Sequence, residues 1–208
     1  MDALRHQCLI YEGSPAKHLP SLAAVIVHRL KANNRCLYLN SPAMVAGMRS
    51  YLSAAGVNVE AEVRKGALVL SSDQSQTVNR KFDLDTMLAM LADAVTQALE
   101  DGYQALWASG DMTWEFGNER NVWKLIEYEL RLEELFKVHT ALHGVCQYHI
   151  DTLPLPVAHQ ALYTHRAVFI NETLSRINDY YAPSSIPPNA STVELKKMLS
   201  HLLPEAGA

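Results

Sequence analysis

The stretch GYQALWASGDMTWEF, Gly102 to Phe116, decides how this chain is read. Ala105-Leu106-Trp107-Ala108 is a short apolar run that stops at Ser109-Gly110-Asp111, with Trp114 and Glu115 just beyond. Such a run reads as a buried strand carrying polar groups and an indole at its C-terminal end. In open α/β sheets, ligands bind at that end.

The pattern extends outward on both sides. Upstream, Asp83 or Asp85 caps a helix with Leu84, Leu88, Leu91, Ala92, Val95 and Leu99 on one face, and Gly102 ends it. Further upstream are a strand at Cys8–Tyr11, a helix with Leu19, Leu22, Ala23, Ile26 and Leu30 inward, and a strand at Cys36–Leu39. A second helix runs from Ser41-Pro42 to about Ala55. Val57 to Val63 alternates like a half-exposed strand, Ala67 to Leu70 is another, and Gln74 to Lys81 is a polar loop. Downstream, an acidic amphipathic helix covers about Asn118 to Val138, with its charge run read as a solvated face. A strand follows at Ala141–Tyr148, then a helix in Asp151–Leu162 and a last strand at Arg166–Ile170. Strands separated by helices imply parallel pairing through right-handed crossovers. The expected fold is an α/β three-layer sandwich with a mostly parallel sheet. Residues 1–181 form the domain; residues 182–208 form a Pro-rich linker and a short helix, Thr192 to Leu203.

Composition narrows the function. The 208 residues are 49% hydrophobic and 19% charged, enough for a substantial core. Net charge is −4 and no segment concentrates Lys and Arg, so direct nucleic-acid binding is not expected. No stretch approaches the roughly 18 apolar residues of a membrane span. Cys8, Cys36 and Cys146 are odd in number and far apart, a poor disulfide framework. With no signal-peptide pattern at the start, the expectation is a cytoplasmic protein with reduced thiols.

Most catalytic motifs are missing. The turn Glu12-Gly13-Ser14-Pro15-Ala16-Lys17 lies where a P-loop would sit. It has one glycine, Pro15 removes a donor, and Lys17 precedes His18 rather than Ser or Thr. A weaker anion contact at the helix start stays open. No C-x-x-C or H-E-x-x-H exists, so no metal site is expected; zinc would need long-range convergence that spacing does not reveal. There is no G-x-S-x-G elbow around Ser109. What remains is an aromatic and acidic set at predicted strand ends. In a parallel sheet Tyr11, Trp114 and Tyr148 gather at one edge, with Glu12, Asp111 and Glu115 nearby and His165 opening the last strand. Aromatic walls with few polar groups suit a small, largely apolar ligand.

These same residues resemble a known family. His6-Gln7-Cys8-Leu9-Ile10-Tyr11 looks like the H-x-C-x-x-Y opening of the MEDS domain, the methanogen/methylotroph sensory domain. Gly110 to Trp114 is similar to its G-E-M-x-W motif, with Asp111 in place of Glu. Glu127-Tyr128-Glu129, Cys146-Gln147-Tyr148 and Thr164-His165 resemble its E-Y-E, C-x-Y and T-H-P elements, with Arg166 where Pro is frequent. The resemblance implies a RecA/KaiC-like fold with a degenerate P-loop. It also implies a non-catalytic sensor of small organic molecules such as hydrocarbon derivatives, used in signal transduction or transcription regulation. The expected ligand-binding residues are Tyr11, Glu12, Gly110, Asp111, Trp114, Tyr148 and His165, with no cofactor. The signal would pass to a partner protein or through a homo-oligomer. Two alternatives stand beside it: a RecA-like protein that retains nucleotide binding, and a pure protein-interaction module.

Overall fold

In the computed structural model of the chain, residues 4–72, 77–78, 81–113, 122–185 and 191–203 are described. Among the described residues the strands are β1 (His6–Tyr11), β2 (Arg35–Leu39), β3 (Leu68–Ser71), β4 (Thr77–Val78), β5 (Lys81–Phe82), β6 (Leu106–Asp111), β7 (Leu142–His149), β8 (Ala167–Asn171) and β9 (Leu174–Ile177). The helices are α1 (Leu19–Lys31), α2 (Pro42–Ala54), α3 (Val59–Arg64), α4 (Leu84–Glu100), α5 (Val122–Val138), α6 (Leu155–Thr164) and α7 (Thr192–Leu202). Seven strands form one sheet in the order β3-β2-β6-β7-β1-β8-β9. Every pairing in it is parallel except β8 with β9. This is the expected α/β sandwich, a mostly parallel sheet flanked by helices.

The strands' two-residue period builds two cores. Cys8, Ile10, Leu39, Leu106, Cys146 and Tyr148 face one side, under α4, α5, α6 and α7. Leu9, Tyr11, Tyr38, Trp107, Val145 and Phe169 face the other, under α1, α2 and α3. Both faces are covered, which is why the strands read as near-continuous apolar runs.

Local chemistry sets the helix ends. Asp83 accepts the Thr86 amide at 2.7 Å and starts α4. Ser41 accepts the Met44 amide at 3.4 Å, with Pro42 in the first turn of α2. Gly102 closes α4 with φ +84°, a left-handed conformation that costs glycine nothing.

Three expectations change. Val57–Val63 is not a strand: Asn58 accepts the Ala61 amide at 3.1 Å and caps α3. Val59 and Val63 imitate a period of two, but at i and i+4 they share a helix face. Arg166–Ile170 is not the last strand, because β9 turns back antiparallel along its edge. The segment Gln74–Lys81, read as a loop, contains β4 and pairs with β5 in a two-stranded ribbon. The tail helix packs on its own domain, with Leu195, Met198 and Leu202 buried in the same core as α4, α5 and α6.

The centre of the sheet tolerates no side chain at Gly144. A Cβ there would lie 2.9 Å from the Ala108 carbonyl oxygen and 3.0 Å from Phe136 Cζ. Gly144→Ala is expected to lower unfolding free energy by about 1–3 kcal/mol through overpacking, read as a lower urea midpoint at unchanged slope.

Candidate functional site: a buried polar cluster beside a strand-end cleft

Residues far apart in sequence meet on the α5 side of the sheet. β1 contributes His6, and β7 contributes Cys146 and Tyr148, two residues apart and on one face. α5 contributes Glu129 and Glu133, one helical turn apart and both turned toward the sheet. The α6–β8 junction supplies His165. Glu129 is 3% exposed and His165 fully buried. The acidic run of α5 is therefore not wholly a solvated face, and that expectation is corrected.

Glu129 is the hub. Tyr148 donates its hydroxyl to Glu129 Oε1. Glu129 Oε2 lies 3.5 Å from His6 Nε2, 3.4 Å from His165 Nε2 and 4.0 Å from Cys146 Sγ. Cys146 Sγ is 3.6 Å from His6 Nε2. Outside this ring, His6 Nδ1 is 2.9 Å from Glu133 Oε2. Glu133 Oε1 accepts from Arg166 Nε at 3.2 Å and from the Tyr181 hydroxyl at 3.0 Å. His165 Nδ1 is 2.9 Å from the Ala161 carbonyl oxygen. A carbonyl only accepts, so the proton of His165 is on Nδ1 and Nε2 faces Glu129. The His6 and His165 rings lie 4.2 Å apart, and Phe136 stacks on His6 at 4.4 Å.

Electrostatics follow from burial and pairing. Burial opposes charge on both carboxylates, but their partners outweigh it. Glu129 is held below the ordinary range by His165 and His6. Glu133 is held at about 2 by hydrogen bonds from His6, Tyr181 and Arg166. Burial also opposes charge on His6, yet the two carboxylates raise it overall. His165 goes the other way, pushed down to about 4 by burial and by the charge of His6.

A second feature opens at the C-terminal end of β1. A cleft of about 430 Å³ lies between that strand end and α7, lined by Tyr11, Glu12, Ile150, Lys196, Leu199 and Ser200 among others. The Tyr11 ring is fixed by stacking on His149 at 5.0 Å and by His18 at 4.6 Å.

The expected site residues thus divide. Tyr11 and Glu12 line the cleft, whereas Tyr148 and His165 belong to the buried cluster. Tyr11 and Tyr148 end neighbouring strands, but they point to opposite faces of the sheet and do not form one aromatic wall. Gly110 lines a narrow apolar cavity of about 30 Å³ under α4 and α5. Asp111 ends β6, accepts the Thr113 amide at 3.0 Å, and has its carboxyl raised by burial. Trp114 lies outside the described residues. Ser109 donates to the Val145 carbonyl at 2.8 Å and accepts from Gln147 Nε2 at 2.8 Å, so its hydroxyl is committed to the sheet.

His6, Glu129, Glu133 and Cys146 were not among the expected site residues. Spacing could not find them, because the cluster is assembled across β1, α5 and β7. The signal was in the motif elements: His6, Glu129, Cys146, Tyr148 and His165 are each a residue of those elements. Long-range convergence of metal-ligating groups, which spacing does not reveal, is present here. One donor atom each from His6, Glu129, Cys146 and His165 lies within 4.8 Å of all the others.

Glu129→Gln is expected to cost about 3–5 kcal/mol, because it removes one side of a buried ion pair. Tyr148→Phe is expected to cost about 1.5–3 kcal/mol, the range for a hydrogen bond to a charged group. In the double variant the Tyr148 cost should shrink, since no charge remains to accept the bond; urea unfolding of the four proteins measures this coupling.

No helix among the described residues is long and apolar enough to cross a membrane. Curated proteins yield no match to the chain. A family profile does match, described as MEDS, the methanogen/methylotroph, DcmR sensory domain, over residues 5–166. That span begins just before His6 and ends just after His165, enclosing four of the five elements that build the cluster and its shell; Tyr181 alone falls beyond it. The chain belongs to the MEDS sensory-domain family.

Proposed function

We propose that the chain is a non-catalytic sensor whose small organic ligand occupies the cleft between the end of β1 and α7. The observation that carries this reading is the cleft itself. Its volume of about 430 Å³ suits a small molecule. Ile10, Ile150, Leu199 and Leu203 supply apolar wall, while Glu12, Lys196 and Ser200 offer polar contacts at the rim. A short hydrocarbon skeleton with one polar end fits that lining. One wall belongs to the sheet and the other to the tail helix. A ligand that bridges them favours the docked arrangement of α7, and only such differential binding transmits a signal. The tail would then present one of two surfaces to a partner protein or a second copy.

The nucleotide alternative is disfavoured by the same corner. The Gly13 amide, which a phosphate would need, already donates to Asp151 Oδ2 at 2.7 Å. A carboxylate at that position repels a polyphosphate.

The test uses the full chain with a panel of short alcohols, amines, halomethanes and small aromatics. Saturable protection of Thr192–Leu202 amides against hydrogen exchange is expected for at least one compound class. Ser200 is exposed and lines the cleft, so Ser200→Trp should fill the space without disturbing the core. It is expected to weaken binding at least about tenfold, the loss of roughly 1.4 kcal/mol. Binding that Ser200→Trp leaves unchanged, or micromolar binding of ATP with Mg²⁺ in its place, would overturn the reading.

A further inference from the structure

We infer that His6, Glu129, Cys146 and His165 form a closed binding site for one borderline-soft divalent cation, zinc(II) foremost. The donor set is two imidazole nitrogens, one thiolate and one carboxylate oxygen, a combination that suits zinc. The site shares no residue with the lining of the strand-end cleft, so it stands or falls apart from the sensor reading.

Geometry carries the argument. A tetrahedral zinc site with bonds near 2.0–2.3 Å has donor–donor edges of about 3.3–3.6 Å. The edges here are 3.4 Å (His165–Glu129), 3.5 Å (His6–Glu129), 3.6 Å (His6–Cys146) and 4.0 Å (Cys146–Glu129). The remaining pairs fall within 4.8 Å. Shifts of a few tenths of an ångström at Cys146, and of up to about 1 Å at His165, close the tetrahedron.

The outer contacts aim the ligands. His6 Nδ1 is anchored on the Glu133 carboxylate and His165 Nδ1 on the Ala161 carbonyl. Both anchors are acceptors, so both rings turn Nε2 inward, as metal-bound histidines do. Tyr148 occupies Glu129 Oε1 and leaves Oε2 facing the centre. His165 Nε2 is fully buried and makes no hydrogen bond, although Glu129 Oε2 is only 3.4 Å away. The two atoms face each other across the centre with no hydrogen bond between them, and a central cation would bond to both.

Four protein ligands leave no open position, which marks a structural site rather than a catalytic one. The ion would tie β1, α5, β7 and the α6–β8 junction together, and its binding free energy would add to folding.

The experiment uses the full chain, reduced and stripped by dialysis against a chelator, then titrated with Co²⁺. One ion per chain is expected, with the strong visible absorption of tetrahedral Co²⁺ and a thiolate charge-transfer band, both displaced by Zn²⁺. Cys146→Ser should abolish the charge-transfer band. Glu133→Gln, which removes no ligand, should keep the band and weaken affinity about 10–100-fold. Ser200→Trp should leave the titration unchanged. Zn²⁺ should raise the melting temperature of the wild-type chain and not that of Cys146→Ser. A folded wild-type chain that shows no saturable Co²⁺ spectrum, or one whose spectrum survives Cys146→Ser, would overturn the proposal.

Discussion

A carboxylate inside a protein must be compensated, and much of this structure is organised around compensating Glu129. The cost of removing such a group from water is several kcal/mol, even after relaxation. Here the compensation comes from two strands and a junction: Tyr148 from β7, His6 from β1, and His165 from the turn that leads into β8. β7, β1 and β8 are neighbours in the sheet, in that order. Correct parallel registration therefore places Tyr148 and His6 where Glu129 can reach them. A one-residue slip would turn each side chain to the opposite face and strand the charge. The cluster thus acts as a check on register in the centre of the sheet.

Much of the fold was legible in the chain because its signals are local. Apolar runs bounded by Ser, Gly and Pro located most strands of the main sheet, and Asp83 and Ser41 located helix starts. Val57 to Val63 was misread because its valines satisfy a period of two and a spacing of four at once, and Asn58 decides between them. β9 was missed for another reason. Leu174, Ser175, Arg176 and Ile177 form an edge strand with half its groups exposed, so no buried pattern marks it. The site was legible only in part. Tyr148 and His165 were found at strand ends, but their face of the sheet depends on register. The acidic face of α5 carries Glu127 and Glu134 outward and Glu129 and Glu133 inward. Composition cannot separate those two pairs.

The cleft and the cluster divide the work of the fold in space. In the turn after β1, Asp151 takes up the amide of Gly13. The volume beyond that turn is then bounded by apolar side chains and by the tail helix. The cluster lies deeper, beneath α5 and α6, and is closed to solvent. One feature is accessible, the other buried.

The tail helix has a consequence of another kind. α7 buries Leu195, Met198 and Leu202 in the same core that holds Leu88, Leu132 and Val157. Its burial therefore contributes to the stability of the whole sheet face, and detaching it exposes apolar surface on both sides. Residues 191–203 pack into the core of the domain, even though the profile of the family ends at residue 166. A chain cut after Tyr181 would keep every member of the polar cluster and lose part of the roof over it. The boundary that the sequence draws at its prolines is a boundary of connectivity, and the hydrophobic core runs across it.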